Sequence, residues 1–178
     1  MKSFPVSFLL LSISLALPVF AEDAIATLAL RASPGQFQEM ERLVNRKPGE
    51  KDITTMTLRF KTLLPHETWA PTIGICLQSK ERTTDRTCFN VSTSWDGTKL
   101  LPVRRERSNP DKPPSRDTLP IELSIDEAIT VRIEQTDESA TFWANGDWLF
   151  ETKSIFQIDR FIFFCSSAVC EFTVREVG

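Results

Sequence analysis

From residue 53 onward the sequence alternates, and that alternation limits the folds open to it. Met56, Leu58 and Phe60 interleave with Thr55, Thr57, Arg59 and Lys61, and Ile129, Val131 and Ile133 interleave with Thr130, Arg132 and Glu134. A period of two buries one face of a strand and leaves the other in water. Asn145-Gly146, between 139–144 and 147–152, marks a two-residue hairpin, because both residues tolerate the positive φ of a type I′ turn. Runs at 24–31, 71–79, 86–93, 121–125, 160–165 and 170–177 read as further strands. About ten short strands with turns between them predict an all-β fold, an antiparallel β-sandwich or jelly roll.

Two segments depart from the alternation. Ser33-Pro34-Gly35-Gln36 has the order of a helix start, and Phe37, Met40, Leu43 and Val44 recur at helical spacing until Lys47-Pro48-Gly49. One short N-terminal helix is therefore expected. Residues 102–120 hold five prolines and five basic residues (Arg104, Arg105, Arg107, Lys112 and Arg116) against three acidic ones. That composition predicts a long exposed loop, placed where it could cover a site. Trp95-Asp96-Gly97 reads as a turn.

The first 21 residues read as a secretory signal peptide. Lys2 supplies the positive start, 8–17 the apolar stretch, and Val19-Phe20-Ala21 the small residues of a cleavage site before Glu22. No second apolar run follows, so no transmembrane segment is expected after cleavage. The expected product is one exported domain over 22–178, periplasmic or secreted.

Export changes the reading of the four cysteines, because an even count in an oxidising compartment favours disulfides. Joining Cys76 to Cys88 sets Ile75 beside Phe89 and Leu77 beside Thr87, so that the apolar residues of both arms share one face. Joining Cys165 to Cys170 across a four-residue loop sets Phe163 opposite Phe172 and Phe161 opposite Val174. Zinc bound by the four cysteines is the alternative, but zinc sites usually show two close pairs such as C-x2-C, and the gaps here are eleven and four residues. Each short loop is expected to add ~2–3 kcal/mol.

"ITVRIEQTDESATFWANGDWLFET" resembles the strand–turn–strand of concanavalin A-like and laminin-G-like jelly rolls. "TTMTLRFKTLL", "TIGICLQ" and the terminal "FIFFCSSAVCEFTVREV" are similar to other strands of that fold, so the resemblance spans about 53–177. It implies a lectin-like sandwich that binds glycan on a concave sheet face or at loop ends. The C-x4-C loop also resembles that of the bacterial invasion-associated locus B proteins, which continue well past it.

Composition narrows the chemistry. A net charge of −3 has the wrong sign for a protein that neutralises nucleic-acid phosphates. With His66 the single histidine and no tyrosine, multi-histidine metal sites and histidine triads lack their parts. No calcium-ligand loop is recognisable around Asp96, Asn145 or Asp147. Neither a metal nor a cofactor is expected. Glucanases of the resembled fold carry an E-x-D-x-x-E strand. That spacing is absent here, and the nearest acidic cluster, Glu122, Asp126 and Glu127, is broken by apolar residues. Glu134 and Glu151 are the carboxylates to test if the chain were an enzyme.

A non-catalytic binding domain is the expectation, and its candidate ligand residues are Trp143, Trp148, Asn145 and Asp147. The Asn145-Gly146 turn sets Trp143 opposite Trp148 and Thr141 opposite Phe150, giving one face with Trp143, Trp148, Phe150 and Thr141. Indole faces stack on sugar rings, and Asn and Asp can bond sugar hydroxyls. The alternative is a cross-strand aromatic pair packed under the 102–120 segment. The expected partner is a glycan or, alternatively, an envelope or extracellular protein bound by a structural sandwich. A polysaccharide-active enzyme is the third reading.

Overall fold

Twelve strands and no helix make up the described part of this computed structural model, which covers residues 25–44, 49–79, 81, 85–107, 111, 113–153 and 158–177. The signal-peptide reading of 1–21 lies outside the described residues. The strands are β1 (Ile25–Arg31), β2 (Phe37–Leu43), β3 (Asp52–Leu63), β4 (Thr72–Gln78), β5 (Arg86–Thr93) and β6 (Leu100–Arg107). They continue with β7 (Ser115–Thr118), β8 (Ile129–Gln135), β9 (Ser139–Ala144), β10 (Asp147–Lys153), β11 (Arg160–Ser166) and β12 (Ala168–Val177). Two antiparallel six-stranded sheets result: a first in the order β1-β12-β3-β8-β9-β10 and a second in the order β2-β11-β4-β5-β6-β7.

The alternation decides what lies between the sheets. Met56, Leu58, Val131, Ile133, Phe142 and Phe172 of the first sheet are fully buried, as are Ile73, Ile75, Phe89, Val91, Phe161 and Phe163 of the second. Phe163 and Phe172 meet edge to face across the interior, with ring centroids 5.2 Å apart. Each such phenylalanine contributes about 1.5–3 kcal/mol by leaving water.

Several expectations change. The predicted helix is β2, an edge strand paired to β11. Ser33 to Gln36 forms a turn closed by the Gln36 N–H to Ser33 carbonyl bond, with Gly35 at φ 73°, a left-handed conformation that no helix position takes. The open edge of β11 then supplies backbone partners that outweigh the local helical spacing. Residues 121–125 form no strand, although Ile121, Leu123 and Ile125 still pack against the core.

Residues 102–120, expected to be a long loop, carry β6 and β7. Buried Leu100, Val103 and Leu119 anchor them, and the Leu119 N–H bonds the Pro102 carbonyl at 3.0 Å. Pro113, Pro114 and Pro120 fall between or after the two strands, where no ladder N–H is needed.

Both disulfides form as the residues suggested. Cys76–Cys88 joins directly opposed positions of β4 and β5, with Ile75 opposite Phe89. Cys165–Cys170 does not close a hairpin, however. β11 belongs to the second sheet and β12 to the first, so this bond spans a corner at which Ser167, at φ 46°, turns the chain from one sheet to the other.

On the outer face of β4, Gly74 lies beneath the Phe164 ring. A Cβ built there would stand 2.5 Å from the ring and 2.7 Å from the Phe89 carbonyl oxygen, which the β4–β5 ladder holds in place. Gly74→Ala is expected to lower stability by about 1–3 kcal/mol, the range for overpacking. Urea denaturation of wild type and variant side by side measures it, and equal midpoints would contradict this close approach.

Candidate functional site

Both inner faces are filled by the core, so binding chemistry has to use an outer face, an edge or an end. A groove of 620 Å³ lies over the outer face of the second sheet. Strand register builds it in rows. One row runs from Glu41 through Ile162, Cys76, Cys88 and Arg105 to Arg116, and the next places Glu39, Phe164, Gly74 and Asn90 side by side. A third aligns Phe37, Ser166, Thr72 and Ser92.

Aromatic side chains stand at one end. Trp69 is 47% exposed, Trp95 73% and Phe37 55%. Trp69 follows a tight turn closed by its own N–H on the His66 carbonyl at 3.3 Å. Trp95 lies in the turn expected from Asp96-Gly97. There the Gly97 N–H bonds the Ser94 carbonyl at 2.9 Å, and Asp96 accepts the Ser94 hydroxyl and the Thr98 N–H. Neither indole enters the core, so both offer ring faces to solvent.

The floor is polar and covalently tied. The Thr72 and Ser92 hydroxyls are 2.9 Å apart, and the Cys76–Cys88 disulfide lies beyond them. Asn90 is 95% buried, and its Oδ1 has no hydrogen-bond partner among the described residues. At the far end Arg86, Arg105, Arg107 and Arg116 line the groove. Arg86 reaches over β4 and β11 to Glu39 at 2.8 Å, an ion pair that bars the face between this groove and a smaller hollow beside Glu41 and Arg160.

The residues singled out by the sequence lie elsewhere, on the outer face of the first sheet. Trp143 and Trp148 are cross-strand neighbours, as expected. A bulge at Leu149 then shifts the register, so Phe150 stands opposite Phe142 and stacks on it inside the core at 4.6 Å, while Thr141 faces Glu151. Trp148 is 61% exposed. Trp143 is half-buried under the Arg132 guanidinium, 5.0 Å above its ring. Asn145, at φ 50°, spends its side-chain oxygen on the Thr130 N–H at 2.9 Å, and Asp147 is exposed. The four residues are brought together around one turn, and none of them lines the groove or the smaller hollow beside Glu41 and Arg160.

Carboxylates are sparse where a reaction would need them. Among the described groove residues Glu39 is the one acid, and Arg86 holds it. Glu134 lies on the other sheet, where Lys51 at 2.7 Å and then Arg132 draw its carboxyl below the usual range; a general acid needs the opposite shift. Among the described residues no group of three or more His, Cys, Asp or Glu side chains could hold a metal.

Sequence reasoning missed Trp69 and Trp95 as binding candidates. One signal was available: a tryptophan beside a tight-turn Asp-Gly has no strand face to bury it. Arg105 and Arg116 were visible only as part of a basic stretch.

No protein family profile matches the sequence, and no curated protein matches it. Several solved structures are similar to it in fold. A structure titled "Crh5 transglycosylase in complex with NAG" aligns at TM-score 0.57 with 8% identity, over 88% of this chain and 77% of that one. Galectin LEC-6 of Caenorhabditis elegans aligns at TM-score 0.50 with 12% identity, over 78% of this chain and 90% of that one. Two six-stranded antiparallel sheets, a core sealed between them and these likenesses lead to one conclusion: the chain has the concanavalin A-like jelly-roll sandwich fold.

Proposed function

We propose that this chain is an exported, non-catalytic carbohydrate-binding domain that holds a glycan in the groove of its second sheet. The observation that carries the reading is the groove itself: 620 Å³, flanked at one end by exposed Trp69 and Trp95, with hydroxyl and amide groups along its floor. Pockets of this volume suit small-molecule ligands. Indole faces present flat apolar area at little rotamer cost, and Thr72, Ser92 and Asn90 can exchange hydrogen bonds with ring hydroxyls.

The likeness to a galectin, and to a transglycosylase in complex with NAG, supports a sugar as the ligand class. Glu39, the one carboxylate among the described groove residues, supports binding without hydrolysis, since glycoside hydrolases ordinarily use two. Two disulfides and the signal-like residues 1–21 support export. The Trp143–Trp148 surface is the less favoured site, because Arg132 already occupies one ring face and Asn145 is committed to its turn.

Glycan-array screening followed by calorimetry tests the reading. Trp69→Ala and Trp95→Ala are each expected to weaken binding about tenfold or more, equivalent to roughly 1.4 kcal/mol. Trp148→Ala is expected to leave it unchanged. Loss on Trp148→Ala alone would move the site to the first sheet.

Presentation of Trp95 depends on Asp96. The Ser94 hydroxyl and then the Thr98 N–H hold this carboxyl at about 2, below its ordinary 3.8. A depressed acid contributes stability above its unfolded value and loses it as pH falls through the folded one. The stability difference between wild type and Asp96→Ala is therefore expected to be constant above about pH 5 and to shrink between 3.8 and about 2. Urea titrations across that range measure it. A difference that does not change with pH would remove the charge from this turn.

A further inference from the structure

Resting on the glycan reading above, we propose that the ligand is an acidic polysaccharide, bound with its carboxylate or sulfate groups against the arginines of β5, β6 and β7.

The chain as a whole is negative, with 24 acidic and 21 basic side chains. The groove has the opposite sign: four arginines and Glu39. Register makes the arrangement sharper than a count suggests. Arg86 stands directly opposite Arg107 on β5 and β6, and in the adjacent outward row Arg105 stands directly opposite Arg116 on β6 and β7. Like charges at directly opposed strand positions repel, so these two pairs, one row apart, weaken the sheet unless something neutralises them.

Arg86 has Glu39 at 2.8 Å. Arg105 and Arg116 have no carboxylate partner among the described residues, and both are exposed. By contrast, Arg104 and Arg132, on other faces, are each paired with a glutamate two residues away and lie over an aromatic ring. Within the groove, Arg105 and Arg116 are thus the directly opposed pair left without a carboxylate among the described residues.

Guanidinium is the cation suited to this task. It stays charged and presents a planar fork of donors that matches carboxylate and sulfate oxygens in pairs. The aromatic and cationic ends are separated along the strands. From Ser92, beside the Trp95 turn, to Arg86 is six residues of β5, about 20 Å of extended chain. A ligand filling that length stacks sugar rings at Trp69 and Trp95 and brings anionic substituents to Arg105 and Arg116. An oligosaccharide with repeated acidic groups has that shape and charge.

Calorimetry on the full chain tests this with length-matched oligosaccharides: neutral (laminarin-derived), carboxylated (oligogalacturonate) and sulfated (heparin-derived). Polyglutamate and phosphatidylglycerol vesicles serve as anions that are not sugars. Wild type is expected to bind at least one acidic oligosaccharide tenfold or more tighter than the neutral one. Whichever of the two it prefers identifies the anionic group. Arg105→Gln with Arg116→Gln is expected to remove most of that preference while leaving neutral binding within twofold. Both are exposed side chains, and an unchanged circular dichroism spectrum verifies the fold.

Equal binding of neutral and acidic oligosaccharides, or a double variant that weakens both alike, overturns the acidic assignment while the glycan reading stands. Polyglutamate or vesicles binding as tightly as the acidic oligosaccharide overturns the assignment to a sugar polymer. No binding to any oligosaccharide overturns both readings together.

Discussion

Phe163 of the second sheet against Phe172 of the first is the contact on which the rest of the structure depends. β11 and β12 follow one another in the chain yet lie in opposite sheets, so a corner of one residue has to deliver two buried aromatic strands to facing layers. Cys165–Cys170 ties that corner, and Ser167 takes the left-handed backbone the turn requires. From this junction β12 pairs with β1 and β3 while β11 pairs with β2 and β4, so each sheet grows outward from one of the two strands.

Closing the sandwich this way separates stability from recognition. Phenylalanine fills the core, whereas none of the four tryptophans is fully buried. The outer face of the second sheet keeps its shape for reasons that need no ligand: Phe164 seated on Gly74, a disulfide between opposed strands, and an ion pair spanning from β5 to β2. A preformed surface binds without first ordering itself, which removes one of the main costs of association. Arg105 opposite Arg116 is the exception, since no carboxylate among the described residues relieves their mutual repulsion.

Much of the sandwich was legible in the residues. Period-two alternation located most strands, Asn145-Gly146 named its own turn, and matching apolar registers selected Cys76–Cys88 and Cys165–Cys170. The failures share a cause. Phe37 to Val44 has helical spacing, but the open edge of β11 gives it ladder partners far along the chain, as between Leu43 and Arg160. Pro-rich 102–120 lacks strand propensity, but β5 has a free edge and Leu100, Val103 and Leu119 need burial. The bulge at Leu149 moved Phe150 to the interior because Phe142 offers it a stacking surface there. In each case a long-range partner outweighed a local preference.

The sequence by itself determined the all-β class and the two disulfide pairings. These follow from neighbours in the chain: alternation, turn chemistry and loop length act over a few residues. Only the tertiary structure decided which outer face is hollowed and what lines it. Trp69 and Trp95 come from two different turns, Asn90 from β5, and Arg105 and Arg116 from a segment with the composition of a loop. They meet because strand order and register are settled by sealing the core, a condition on the whole chain that no local stretch can express.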